Sequence, residues 1–303
     1  MIKEYNTRAE WIDARNNYIT STEIPALFGV YKYGQTPFGL YTEKAGLILP
    51  TNEMDGERQR WGKALQKVIA EESTKVHGWQ LTQAKNEYAL YCKQDYGIAS
   101  SFDYVVNDKG KDVLLEIKNV DSLIFAQQWE ADEHGHYEAP LHIELQLQHQ
   151  LLCCGYDEVK LCALVGGNRL VTLARNPSKK LQDLIIEKVG AFWDMVAKEK
   201  PPELSETGED LEHIKHLYRA LGSNVVSASQ SAEATAAKMR IATDKMKEAK
   251  KEVDGLKSKL LDECKDARKL LGANWTLSRT EVAQKEITYV RKAYTTNRVT
   301  WKK

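Results

Sequence analysis

The stretch from Ile98 to Val120 constrains this chain more than any other. Two apolar runs, Ile98 to Val106 and Val113 to Val120, flank Asn107-Asp108-Lys109-Gly110. Asn, Asp and Gly tolerate the left-handed backbone of a tight turn, so the segment reads as a β-hairpin. The returning strand contains Leu114-Leu115-Glu116-Ile117-Lys118. Residues two apart on a strand share a face, which puts Glu116 and Lys118 together and turns Ile117 into the core. Asp103 lies on the outgoing strand, and the turn brings it toward the same point.

Around this hairpin the pattern alternates between periods. Tyr88 to Cys92 reads as a strand. Arg58 to Val76 reads as a helix with Trp61, Leu65, Val68, Ile69 and Glu72 on one stripe, ended by Gly78. Ile143 to Leu152 reads as a helix running into Cys153-Cys154-Gly155. Val159 to Val165 and Leu170 to Ala174 form a strand pair around Gly166-Gly167-Asn168, and Lys179 to Glu199 is an amphipathic helix. This order predicts an α/β (α+β) layered domain. No proline follows Pro202, and the chain beyond it is rich in Ala, Lys and Glu. A boundary near residue 205 is therefore expected, giving domains 1–204 and 205–303. In the second, Met239, Ala242, Met246, Ala249, Val253, Leu256 and Leu260 alternate steps of three and four. That spacing predicts a long helix packed on its own domain or in a helical hairpin. The seam alanines argue against an intermolecular coiled coil. Beyond Gly272, Trp275 to Ser278 and Arg298 to Trp301 read as short strands of a terminal hairpin.

Composition narrows the classes. Hydrophobic residues make up 42% and charged residues 28% of the 303 positions, enough for a real core. With 43 basic and 43 acidic residues the net charge is zero, which argues against a wholly basic nucleic-acid coat protein but leaves room for a local basic groove. No run approaches the ~18 apolar residues of a membrane span. Met1 to Arg15 is polar, so no signal peptide is expected. Cys92, Cys153, Cys154, Cys162 and Cys264 include no CxxC pair and read as reduced cytoplasmic thiols. Gly166-Gly167 lacks the context of a nucleotide-binding loop, and without an ATPase motif a helicase is excluded.

Asp103, Glu116 and Lys118 are the chemistry-bearing set. Two convergent carboxylates and a backbone carbonyl suit a hard divalent cation such as magnesium. The cation polarises a phosphoryl oxygen and acidifies a water, and a neighbouring lysine orients that water or offsets negative charge. Hydrolysis of a phosphodiester needs each of these parts. Alternating Leu-Glu-Ile-Lys is also the pattern of any half-exposed strand, so on these residues alone both readings stand.

More of the chain bears on the choice. Trp11 and Arg15 precede Ile19-Thr20-Ser21-Thr22-Glu23. Trp61-Gly62-Lys63 opens a helix. Ser101-Phe102-Asp103, Leu115-Glu116-Ile117-Lys118, and Pro140 through Gln146-Leu147-Gln148-His149-Gln150 follow. Leu164-Val165-Gly166-Gly167, Phe192-Trp193 and Pro201-Pro202 close the series. In order and spacing these blocks resemble the YqaJ-like viral recombinases, relatives of phage lambda exonuclease in the restriction-endonuclease-like nuclease superfamily. The resemblance covers about residues 8 to 204. It implies a restriction-endonuclease-like core, a central mixed β-sheet flanked by helices, with a C-terminal helical arm appended. It implies that Asp103, Glu116 and the Ile117 carbonyl bind magnesium, with manganese as a substitute. Lys118 would activate the water and Gln146 would sit at the site's edge. Arg15 and Thr22 would hold a phosphate at a 5′ end; the residues themselves allow that, since arginine grips phosphate bidentately, while Thr22 also suits an ordinary helix N-cap. The implied activity is 5′ to 3′ digestion of double-stranded DNA for recombination by strand annealing, in the cytoplasm of a bacterial host. A single-strand annealing protein as partner and a ring-shaped homo-oligomer are implied in the same way.

One departure stands out. The family's helix after W-G-K carries a glutamate that helps bind metal, and here the position is Gln66. A neutral amide offers an oxygen without charge, so the number of metal ions stays open. Glu71 and Glu72 do not share its helical face. Two other readings follow: a non-catalytic DNA- or protein-binding descendant of the fold, or an endonuclease. His134 and His136 flank Gly135 in an acidic stretch that reads as a loop over the DNA channel or a zinc site. His142 and His149 are too far apart for a ligand pair. The terminal Arg291, Lys292, Arg298, Lys302 and Lys303, interleaved with Tyr289, Tyr294 and Trp301, suit nucleic acid or a solvated β-arm.

Overall fold

The computed structural model describes residues 1–30, 35–48, 56–83, 88–219 and 224–281. The chain divides into two compact units, Met1–Arg219 and Ala220–Lys303. The basic and aromatic residues after 281, with the expected strand at Arg298 to Trp301, lie outside the described residues.

The first unit holds two main sheets. One has the order β1 (Ile2–Glu4), β4 (Ala89–Lys93), β5 (Ile98–Ser100), β2 (Ile19–Thr20). The other has the order β11 (Arg169–Arg175), β10 (Val159–Val165), β7 (Lys111–Val120), β6 (Tyr104–Asp108), β3 (Gln80–Gln83). In the second sheet β7 and β10 run parallel and all other neighbours antiparallel. A parallel pair needs a crossover. Here it consists of α5 (Ser122–Gln128), the small hairpin β8 (Glu130–Ala131) and β9 (Tyr137–Glu138), and α6 (Leu141–Cys154). The remaining helices are α1 (Arg8–Arg15), α2 (Ile24–Leu27), α3 (Pro37–Lys44), α4 (Glu57–His77), α7 (Lys179–Ala197) and α8 (Leu211–Leu217). The mixed α/β architecture is the one the sequence predicts.

The central hairpin closes at Asp108 opposite Lys111, so its loop is Lys109-Gly110. Both loop residues have positive φ, 53° and 88°, the two-residue turn that matches strand twist. Asn107 Oδ1 accepts from Gly110 N at 2.9 Å and fixes that turn. The outgoing strand differs from the expectation. Ile98 to Val106 is two strands, β5 in one sheet and β6 in the other. Ser101 Oγ donates to the Ala89 carbonyl at 2.6 Å, and Phe102 packs on Tyr91, so the chain leaves one sheet before entering the next. A continuous apolar pattern cannot show a change of sheet, because both sheets bury the same residue types.

Alternate residues of β7 build two cores. Val113, Leu115 and Ile117 pack with Ile69 and Ala70 of α4, while Leu114 packs with Leu147 and Leu151 of α6. The buried face of α4 is rotated from the predicted stripe: Ile69, Ala70 and Ser73 are buried, whereas Trp61 and Val68 are 53% and 59% exposed. Small residues let α4 lie close to the sheet, and Ser73 satisfies its hydroxyl on the Ile69 carbonyl at 2.7 Å. Helix α6 lies between the sheets, sending Leu147 into one core and Leu145 and Cys153 into another. Trp193 of α7 donates from Nε1 to the Gly97 carbonyl at 3.0 Å. Gly97 has φ 62°, and a Cβ there would stand 2.4 Å from that nitrogen, so both backbone and space demand glycine. Thr36, the N-cap of α3, donates to buried Asp210 just before α8, so residues 205–217 pack within the first unit.

The second unit contains α9 (Gln230–Cys264), 35 residues long, and the pair β12 (Lys269–Leu271) and β13 (Thr276–Ser278). The expected strand at Trp275 to Ser278 is present as β13, and it pairs with β12. The heptad seam is not packed as expected: Met239, Met246, Val253 and Leu256 are 49%, 66%, 60% and 54% exposed. Among the described residues α9 is the one helix of this unit. Among them, too, no helix is long and apolar enough to cross a membrane.

Candidate active site

Tyr104 pairs with Leu115, so Asp103, one residue earlier, stands at the level of Glu116 where β6 begins. Asp103 Oδ2 accepts from Ile117 N at 2.8 Å. In a strand the N–H and C=O of one residue point the same way. The Ile117 carbonyl therefore also faces the edge that β6 leaves uncovered. Gln66, on the buried side of α4 by its spacing from Ile69, Ala70 and Ser73, donates to the Asp103 carboxylate.

Glu116 is 4% exposed. Its Oε1 accepts from Lys118 Nζ and from Gln146 Nε2, each at 2.6 Å. Its Oε2 accepts from Gln150 Nε2 at 2.8 Å. Lys118 Nζ also donates to Gln146 Oε1 at 3.0 Å, which closes a triangle of Glu116, Lys118 and Gln146. The structure thus brings together Asp103, Glu116, Lys118, Gln146 and Gln66.

Burial and, second, the Glu116 charge push the Asp103 carboxyl up to about 8. Lys118, the Ile117 N–H and Gln66 pull the other way and do not prevail. Two carboxylates held this close favour either a shared proton or a cation between them. Gln150 adds a further sign: its Oε1 is buried with no donor among the described residues. Such an orphan costs about 1–3 kcal/mol, which a bound ligand or water relieves. Among the described residues no three His, Cys, Asp or Glu gather in a metal-binding group. The donor set is therefore two carboxylates with amide and carbonyl oxygens. That fits magnesium, which binds through one or two carboxylates and keeps several waters, and does not fit zinc.

Arg15 and Thr22 form a second cluster. The Arg15 guanidinium lies 4.4 Å from the Trp11 ring and reaches Thr20 Oγ1 at 3.4 Å and Thr22 Oγ1 at 3.5 Å. Thr22 is not a helix cap: Glu23 occupies the N-cap of α2. Glu23 bonds Lys44 at 3.0 Å and accepts from Thr20 N at 2.8 Å. Burial lowers the Arg15 pKa, and Glu23 opposes that shift. Helix α6 links the clusters. His149 Nε2 lies 3.2 Å from the Ile19 carbonyl, next to Thr20, while Gln146 and Gln150 of the same helix hold Glu116.

The other histidines resolve differently. His134 and His136 belong to the turn of the β8–β9 hairpin, not to an open loop. Asp132 Oδ1 accepts from the His134 and His136 N–H groups at 2.9 and 2.7 Å, and no metal-binding group forms there among the described residues. Gln150 is the residue that sequence reasoning left without a role. Its i, i+4 spacing from Gln146 was the available sign.

The fold is similar to that of a solved exonuclease. An alkaline exonuclease from Laribacter hongkongensis matches with a TM-score of 0.51 at 16% identity, covering 70% of this chain and 100% of its own. A phage-related exonuclease from Haemophilus somnus 129PT matches with a TM-score of 0.41 at 12% identity, covering 60% of this chain and 96% of its own. No curated protein matches the sequence. Residues 10–157 match the family model of the YqaJ-like viral recombinase domain.

Proposed function

We propose that this protein is a magnesium-dependent deoxyribonuclease that hydrolyses phosphodiester bonds, acting as a 5′ to 3′ double-strand exonuclease in strand-annealing recombination. The observation that carries the reading is the buried Glu116, joined to Lys118 and Gln146, beside an Asp103 whose carboxyl is pushed up to about 8. Asp103 and Glu116, with the Ile117 carbonyl, would hold the ion. Gln66 acts in this arrangement as a donor that steadies Asp103 and adds no charge, which favours a single metal position. Bound magnesium supplies Lewis-acid polarisation of a phosphoryl oxygen and acidifies water, and manganese substitutes for it.

The chain's own groups do the rest. Lys118 Nζ, pinned by Glu116 and Gln146, orients the attacking water or offsets charge developing on the phosphate oxygens. Gln146 positions Lys118. Arg15 offers a fork to a terminal phosphate, with Thr22 as hydroxyl donor. A phosphate gripped there, at a 5′ end, sets the polarity of digestion. The annealing-protein partner, the ring oligomer and the cytoplasmic setting rest on the family resemblance.

Comparison of linear DNA with closed circular plasmid tests the exonuclease assignment. Linear DNA bearing a 5′ phosphate is expected to be consumed while the circle persists; nicking of the circle at a similar rate would make the protein an endonuclease. Gln66 favours a second reading, a non-catalytic DNA-binding descendant. Calorimetric titration separates the two. Binding of magnesium or manganese at millimolar concentration supports the enzyme, and its absence supports the descendant.

A further inference from the structure

Beside the end of β7 lies a cavity of about 540 Å³ that the reaction above does not use. Its lining includes Ser122, Phe125, Trp129, Tyr137, Asn168 and Arg169. The Phe125 and Trp129 rings stack at 4.9 Å with an interplanar angle of 27°, and both residues are buried. Tyr137 leans on Phe125 at 4.9 Å. The aromatic wall is therefore fixed before any ligand arrives, so little side-chain entropy is lost on binding. Arg169 Nη2 donates to the Tyr137 hydroxyl at 2.8 Å, and its guanidinium lies 4.9 Å from that ring. Ser122 and Asn168 bring a hydroxyl and a carboxamide to the same space.

The combination selects a ligand class. An aliphatic ligand would leave the guanidinium and carboxamide unmatched. A bare anion has no use for three aromatic rings. A nucleobase uses the combination: a π face against half-buried Tyr137, which the buried Phe125–Trp129 pair backs, polar edges for Ser122 and Asn168, and a phosphate within the field of Arg169. The volume is in the ordinary range for small-ligand sites, about 300–1,000 Å³.

The position fits too. Val165 pairs with Val120 in the parallel ladder, and Gly166 N donates to the Val120 carbonyl at 2.9 Å. Lys118 lies two residues earlier on β7. At about 3.3 Å per residue, the cavity begins on the order of 7 Å beyond Lys118 along the strand.

We propose that this cavity holds one unstacked base of the DNA strand, next to the nucleotide whose phosphodiester is cut. The proposal rests on the deoxyribonuclease reading. It implies that the strand entering the Asp103–Glu116 site is unpaired there, because a paired base cannot enter a cavity.

An abasic scan tests it. Single-stranded oligodeoxynucleotides with one base removed at successive positions are titrated against the Lys118→Ala protein, with and without Asn168→Ala and Tyr137→Ala. Asn168 lies on an exposed turn, and circular dichroism checks that each variant folds. Removal of the base at one position is expected to weaken binding about tenfold. The same removal is expected to change little once Asn168 and Tyr137 are replaced. Tyr137→Phe, which keeps the ring, is expected to retain the effect. A flat scan, or one unchanged by the Asn168 and Tyr137 substitutions, overturns the pocket when the wild type digests DNA. Failure to bind any DNA overturns the deoxyribonuclease reading instead.

Discussion

Lys118, Gln146 and Gln150 all donate to Glu116, while burial and, second, the Glu116 charge push the Asp103 carboxyl up to about 8. The two carboxylates should therefore respond differently to neutralisation. Asp103→Asn replaces a group whose neutral form burial already favours. Its melting temperature in chelator should stay within about 2 °C of the wild type, while activity falls by about a hundredfold or more. Glu116→Gln sets an amide N–H against three donors. It should cost about 2–3 kcal/mol of stability as well as activity, measured by chemical denaturation in chelator. Equal stability of the two variants would contradict this account of the network. Glu116 and Lys118 were legible in the sequence because strand alternation shows which residues share a face. Gln150 was not, because a glutamine on a helix carries no mark of what it will meet. Gln66 was visible as a departure, but its bond to Asp103 depends on how α4 sits on the sheet.

Helix α6 shows what an element can hide. Gln146, Gln148, His149 and Gln150 are polar, yet all four are buried. Gln148 bonds Glu144, the Asn176 carbonyl and Ser178 N, while His149 lies against the Ile19 carbonyl. A helix between two sheets has no solvent face, so its apolar periodicity is weak. The same limit applied to α4, where Ala70 and Ser73 rather than Trp61 and Val68 meet the sheet. The helices themselves, their glycine ends and the Lys109-Gly110 turn were legible because local chemistry sets them. Burial lowers the His149 pKa to about 4, against an ordinary 6.5. The unfolded chain therefore takes up this proton first as pH falls. The His149 contribution is intact above pH 6.5 and is lost between about 6.5 and 4, at up to about 1.4 kcal/mol per pH unit. Urea denaturation at pH 6.5 and 5 should differ by about 2 kcal/mol less in His149→Asn than in the wild type. An unchanged difference would remove His149 as the cause.

At the scale of the molecule, the chain is two compact units. The composition changes after Pro202, whereas the compact units divide after Arg219. The Thr36–Asp210 hydrogen bond that keeps α8 in the first unit is a tertiary contact that composition does not record. The heptad seam of α9 was legible; what it packs against was not. Val225 and Val226 are 98% and 86% exposed in the coil before α9. Limited elastase digestion should cut there first and release an N-terminal fragment that melts cooperatively; a first cut inside residues 88–219 would contradict the division. The central claim is that Asp103, Glu116 and Lys118 form a metal-dependent nuclease site, and its most direct test is digestion of linear double-stranded DNA in magnesium by wild type and Lys118→Ala. The account predicts digestion by the wild type, its loss in chelator, and a decrease of about 10²–10³-fold in the variant, and equal digestion by both proteins would contradict it.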